Sequence, residues 1–292
     1  MRQLIIEKNQ DKKGLVLIEG KDYHYLRQVL RVKVGDMVKL RLADGLPYDS
    51  TVCKIDDSSK IITLQLCGVV RALRHTQGPQ KVGEQSGVPE ALEGPLIEYT
   101  LFQFIPKPQK LELIVRQATE CGVKNIVPVI SEYAQKGSIE ALAGGKKERL
   151  ERIVREARQQ SGSPVDTKVF EPVTVEEAVE LWNKIKEEAG GQEHCAGFVL
   201  SERTVDDDGP FDRLRDREQK FAVPEALEGP QKKALQKVCI FCGNEGGISP
   251  DELELLTKKA LLYPVHFSVN ILRCETAALY GIAAVQTAIT GF

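Results

Sequence analysis

From residue 97 to the C-terminus, apolar runs of strand length alternate with amphipathic segments of helix length, and this alternation restricts the fold more than any other feature. Strands are expected at 96–104, 125–130, 165–170, 196–200 and 238–242. Between them, 110–121 places Leu111, Ile114, Val115 and Ala118 on one helical face, with Gly122 positioned to end the helix. The segment 146–160 reads as a charged amphipathic helix, and 174–188 as a helix capped by Thr174 with Glu177 at its third position. A strand–helix alternation of this kind builds a parallel sheet covered on both faces. The fold class is therefore α/β, and ligands are expected at the strand ends.

One strand end stands out. The run Val238 to Cys242 passes into Gly243-Asn244-Glu245-Gly246-Gly247-Ile248, and Ser249-Pro250-Asp251-Glu252 then reads as a capping box with proline in the first turn. Glycines at a strand end let backbone approach a ligand that a Cβ would hold away. A second apolar run, 260–267, leads through Ile271, Leu272, Arg273 and Glu275 to a long helix of small residues. The turn contains neither a P-loop nor a G-x-G-x-x-G fingerprint, and a tight strand-to-helix connection accounts for its spacing equally well.

Residues 1–70 differ in character. Short alternating runs (Leu4 and Ile6, Leu15 to Ile18, Val38 to Leu42, Ile61 to Leu66) are separated by turn signals such as Asp44-Gly45, which suggests a small β-barrel. A helical turn at 23–31 interrupts it, with Leu26, Val29 and Leu30 inward and Arg27, Arg31 and Lys33 outward. Residues 71–96 read as a linker rich in Gly, Pro, Gln and Glu. The octapeptide at 88–95 recurs unchanged at 223–230, so both copies are read as duplicated surface insertions, the second within about 206–236. Residues 97–292 form the α/β domain.

Composition excludes several classes. Lys and Arg total 40 against 42 Asp and Glu, which argues against a strongly basic binder while leaving room for a basic face. No apolar run approaches the roughly 18 residues that span a bilayer, and no leader pattern opens the chain, so a cytoplasmic protein without membrane partners is expected. The seven cysteines are odd in number, scattered and mostly within apolar runs, as expected of reduced, buried thiols. Cys239 and Cys242 form a C-x-x-C inside a strand rather than at a helix start, and neither they nor the four histidines have metal or triad spacing. No metal is expected.

The paired motif Gly243-x-Glu245-Gly246-Gly247-Ile248-Ser249 and Ile271-Leu272-Arg273-x-Glu275-Thr276-Ala277 resembles the small-subunit ribosomal RNA methyltransferase E family. The likeness extends through Lys107-x-x-Lys110-Leu111-Glu112, Glu120-Cys121-Gly122-Val123 and Glu156-Ala157-x-x-Gln160-Ser161, and at the N-terminus through His24, Val29-Leu30-Arg31 and Gly35-Asp36. It implies a SPOUT domain with a deep trefoil knot behind a PUA-like RNA-binding barrel, acting as a homodimer. The implied activity is S-adenosylmethionine-dependent methylation of N3 of a uridine in 16S rRNA. The cofactor loops would comprise Leu200 and Ser201, then Gly243, Asn244, Glu245, Gly246, Gly247 and Ile248, and finally Phe267, Ser268, Ile271 and Leu272.

Arg273 is then a candidate to stabilise the uracil anion and Glu275 to orient the base or relay its proton; alternatively Arg273 pairs with Glu275 or Glu245 as a structural brace. His24, Arg27, Arg31, Lys33, Lys107 and Lys110 are candidates for contacting rRNA, against an ordinary solvated surface. The chain departs from the family at Asn244, Asn270 and Ser163. These departures keep open an RNA-binding or assembly protein without turnover, or a relative with another RNA target.

Overall fold

The structure is a computed structural model that describes residues 3–6, 8–11, 13–69, 97–143, 147–202, 235–267 and 270–290. The linker 71–96, both octapeptides and Ser268 lie outside the described residues, as does most of the insertion at 206–236. The chain divides into two compact units, Met1–Gly94 with Gln159–Pro164, and Pro95–Arg158 with Val165–Phe292.

In the first unit, β1 (Gln3–Ile5) and β2 (Leu15–Ile18) precede a short helix, α1 (Gly20–His24), which continues as one π-helical stretch over Tyr25–Val29. β3 (Met37–Arg41), β4 (Pro47–Asp56) and β5 (Ile61–Val69) complete a sheet of order β1-β3-β4-β5-β2. β1 pairs with β3 in parallel and the other pairs are antiparallel. The strands surround one core in which Leu4, Val16, Ile18, Leu26, Val38, Leu40, Val52, Ile62 and Leu64 are buried. Leu26 points inward as expected, but Val29 does not: it is 60% exposed, because the π-helical turn shifts the face that a 3.6-residue period assigns.

The second unit opens with β6 (Glu98–Phe104), α2 (Pro108–Glu120) and β7 (Asn125–Ile130). Next come α3 (Lys136–Ala143), α4 (Lys147–Ser161), the short strands β8 (Lys168–Val169) and β9 (Val173–Thr174), and α5 (Val175–Glu188). β10 (Cys195–Leu200), β11 (Lys237–Cys242), α6 (Pro250–Lys258), β12 (Tyr263–Val265) and α7 (Cys274–Thr290) follow. The sheet is parallel throughout, in the order β12-β10-β11-β6-β7-β8, with β9 also on β7.

Alternate residues of its strands serve two cores, as the two-residue period of a strand requires. Leu101, Ile126, Phe198, Ile240 and Cys242 pack under α2, α4 and α7, whereas Phe102, Val127, Val199, Cys239 and Phe241 pack under α5 and α6. Phe102 and Phe241, opposite each other in register, stack with centroids 4.2 Å apart. Cys239 and Cys242 therefore face opposite sides of the sheet and are free thiols. Cys53 and Cys67 depart from the expectation of burial, being exposed on β4 and β5. Among the described residues no helix is long and apolar enough to cross a membrane.

Candidate functional site

The sheet register brings three strand ends to one level. Leu200 pairs with Cys242 on one side and with Val265 on the other, so the segments leaving β10, β11 and β12 emerge side by side. They enclose a cleft of about 340 Å³. Leu200, Ser201, Gly243, Asn244, Glu245, Gly247, Ile248, Phe267, Ile271 and Leu272 all line it, as do Lys110 and Arg273. Of the other cofactor candidates, Gly246 turns away and Ser268 lies outside the described residues.

The glycine turn is built by close approach. A Cβ on Gly243 would stand 2.9 Å from the Gly247 carbonyl carbon, and Gly247 itself holds φ +80°, the left-handed region that glycine adopts without strain. A Cβ on Gly246 would lie 2.7 Å from Tyr133 Cβ, so that glycine serves packing against the 131–134 turn rather than the cleft. Asn244 holds the turn from within. Its buried carboxamide accepts from Gly246 N–H at 2.9 Å and donates to Ser131 Oγ at 3.0 Å and to the Ile105 carbonyl at 3.4 Å. Beyond it the expected capping box is present: Ser249 Oγ accepts from Glu252 N–H, and Glu252 Oε2 accepts from Ser249 N–H. The second Glu252 oxygen accepts from Glu132 N–H at 2.8 Å, which ties α6 to the same 131–134 turn.

Sequence reading passed over Gln103. It is wholly buried, and its Nε2 donates to the carbonyls of Phe104, Cys242 and Gly243, tying the end of β6 to the start of the turn. A glutamine at the apolar end of the strand, between Phe102 and Phe104, was the available signal, since buried amide donors seek partners.

The charged residues are arranged differently from the expectation. Glu275 does not line the cleft and does not meet Arg273; its carboxylate accepts from Lys110 Nζ at 3.1 Å. Lys110 also lies 3.6 Å from Glu245, whose carboxylate accepts from the Lys107 N–H at 3.2 Å. Burial acts to raise the Glu275 pKa, but hydrogen bonds from backbone, Lys110 and Cys274 outweigh it and hold the carboxyl below its ordinary value. Lys110 is shifted upward: desolvation pulls it down, and the Glu275 hydrogen bond with the surrounding negative charge overcomes that. Arg273 is exposed at the cleft and forms no ion pair among the described residues. Neither structural brace offered for it, to Glu275 or to Glu245, is formed; the brace is made by Lys110, because α2 brings that ammonium between the two carboxylates.

The basic residues of the first unit are also not equivalent. Arg27 is held by Asp57, with Nε–Oδ1 and Nη2–Oδ2 both 2.9 Å, and Tyr23 donates to the same carboxylate at 2.6 Å. It is therefore not free to point outward. His24, Arg31 and Lys33 are exposed, Arg31 with φ +54°, and in the second unit Lys107 is exposed at the start of α2. Among the described residues no group of three or more His, Cys, Asp and Glu side chains is placed to hold a metal ion.

Comparison with known proteins agrees with this arrangement. Residues 93–286 match the RNA methyltransferase domain, and residues 18–65 match the RNA methyltransferase PUA domain. The chain is 25% identical to the ribosomal RNA small subunit methyltransferase E of Rickettsia conorii, over 90% of this chain and 85% of that one. To the protein of that name from Aquifex aeolicus it is 37% identical, over 59% of this chain and 64% of that one. Among solved structures, a ribosomal RNA small subunit methyltransferase E from Neisseria gonorrhoeae, bound to S-adenosyl methionine, superposes with a TM-score of 0.65 at 19% identity, covering 98% of this chain and 97% of that one. With the RNA methyltransferase domain spanning most of its second unit and the RNA methyltransferase PUA domain lying within its first, the chain belongs to the RNA methyltransferase family.

Proposed function

We propose that the protein is a cytoplasmic homodimer that methylates N3 of a specific uridine in 16S rRNA, using S-adenosylmethionine held in the cleft at the ends of β10, β11 and β12. The observation that carries this reading is the convergence of three strand ends on a cleft of about 340 Å³ whose wall holds the guanidinium of Arg273, which forms no ion pair among the described residues, in a chain of the RNA methyltransferase family. The residues fit such a ligand. A volume of this order suits a compact nucleoside derivative, and the glycine turn offers peptide groups rather than side chains. When bound, S-adenosylmethionine supplies a methyl group already activated by a positive sulfur. The trefoil threading typical of the SPOUT fold belongs to the same proposal.

The protein's own task is to orient the uracil and stabilise it without its N3 proton. Arg273 supplies positive charge for the uracil anion, a role for which a guanidinium not already neutralised by a carboxylate is suited. Glu275 does not relay the proton, because it is committed to Lys110 and held ionised. Glu202 lines the cleft without an ion pair among the described residues, and is the carboxylate available to accept it. His24, Arg31, Lys33 and Lys107 contact rRNA phosphates, whereas Arg27 and Lys110 are engaged within the protein.

The test is to map N3-methyluridine in 16S rRNA from cells with and without the gene, and to repeat it with Arg273→Ala. The modified base disappears on deletion, and Arg273→Ala lowers turnover by about 100-fold while calorimetry shows S-adenosylmethionine still bound. A wild-type protein that does not bind the methyl donor overturns the reading.

A further inference from the structure

The cleft wall beside α2 carries an ion cluster whose charges do not balance. One ammonium, Lys110, is shared by two carboxylates, Glu275 at 3.1 Å and Glu245 at 3.6 Å. Lys110 and Glu245 line the cleft, and Glu275 stands behind them with its side chain 15% exposed. Cys274 adds no charge. Its thiol donates to Glu275 at 3.3 Å, and burial together with that hydrogen bond pushes its pKa up to about 12. Lys110 is shifted upward and Glu275 downward, so neither relieves the imbalance near neutral pH by exchanging its proton. The other charged residues described in the lining, Glu202 and Arg273, are one of each sign. The cluster thus leaves one negative charge in excess on the wall.

We propose that the Glu245–Lys110–Glu275 cluster is a specificity element that favours the sulfonium cation of the methyl donor over the neutral thioether of its product, S-adenosylhomocysteine. This inference rests on the methyl-donor reading of the cleft. The two ligands share their adenosine and amino-acid parts, so contacts to those parts bind both alike. They differ by one methyl group and one positive charge at sulfur. A hydrophobic contact to the methyl distinguishes them only weakly, whereas an excess negative charge acts on the cation alone. At separations of several ångströms in a partly solvated cleft, one charge corresponds to an affinity ratio of roughly three to ten. Once the methyl group has left, the attraction is gone and the product is released more readily.

Glu275→Gln tests this without altering a lining residue, because it keeps the side-chain shape and removes only the charge. Calorimetric titration of the full chain with S-adenosylmethionine and with S-adenosylhomocysteine, at low and at high salt, reads the effect. The variant should bind the methyl donor about three- to tenfold more weakly at low salt, bind the product within about twofold of wild type, and lose much of the difference at high salt. Glu245→Gln should act in the same direction and provides the same reading if Glu275→Gln fails to fold. Equal weakening of both ligands would assign the cluster a purely structural role, and an unchanged ratio would remove any role in selection; either result overturns the proposal. Wild-type protein that binds neither ligand instead overturns the reading of the cleft itself.

Discussion

Asn244 sits where its relatives' resemblance suggests another residue, and the structure gives it a definite task. Its side chain bonds to three backbone or hydroxyl groups across the turn and the neighbouring loop, those to Ser131 and Ile105 buried and the one from Gly246 partly so. Replacement by alanine leaves Gly246 N–H and Ser131 Oγ without their partner, a loss of about 1–3 kcal/mol. Thermal melts of Asn244→Ala should therefore show a clear drop in Tm, and affinity for the methyl donor should fall with it because the turn loosens. Ser249→Ala is the contrasting case: it removes one cap and should cost about 1 kcal/mol with little effect on ligand affinity. Chemical denaturation of both variants separates the two outcomes. Neither the partners of Asn244 nor the Lys110–Glu275 pair was legible in the sequence. Ser131 and Ile105 are far away along the chain, as Lys110 is from Glu275, and only the folded sheet brings them together. The Ser249 cap, by contrast, is local chemistry and was readable directly.

Elements followed the same division. Asn125–Ile130, the Thr174-capped helix and the strand ending at Cys242 were legible because periodicity and caps act over a few residues. The helix Lys136–Ala143 escaped notice, since it is short, contains Gly137 and has no clear apolar period. The strand expected at 165–170 shrinks to Lys168–Val169, with Thr167 spending its hydroxyl on the Val123 carbonyl. Gly281 shows how one element shapes the site from outside. A Cβ there would lie 2.3 Å from Leu200 Cδ1, so α7 accepts a helix-weakening glycine in order to lie close against β10. Gly281→Ala gains about 1 kcal/mol in helix propensity but forces Leu200 to rotate, and Leu200 lines the cleft. Methyl-donor affinity should fall in this variant without a matching loss of Tm, and Leu200→Ala in the same chain should restore part of it. Unchanged affinity in Gly281→Ala would show that Leu200 has room to move.

At the scale of the whole molecule, each unit has its own core, and acid should act on the first through its depressed carboxyls: Asp56, lowered by hydrogen bonds from Ser58 and Ser59 within its own turn, and Asp57, lowered by groups distant along the chain. Hydrogen bonds from Arg27 and then Tyr23 lower the Asp57 pKa from 3.8 to about 2. A carboxyl lowered on folding stabilises the native state above its unfolded value and loses that contribution as pH falls through the folded one. The contribution of Asp57 is therefore complete near neutral pH and disappears between about pH 4 and pH 2. Asp57→Asn should melt below wild type at pH 7, and the gap should close as the pH approaches 2; a gap independent of pH would show that the pair contributes through shape alone. The sheet of the second unit has a different consequence, one of timing. β11 is central, yet it follows both of its neighbours, β10 and β6, along the chain. Those neighbours leave the ribosome before the strand that must join them. Until it arrives, each presents an unpaired edge and half of two cores. A central slot filled only after both of its neighbours have been made slows folding and leaves the intermediate prone to pairing with another chain, so rapid synthesis, which crowds such intermediates together, should promote aggregation of this protein.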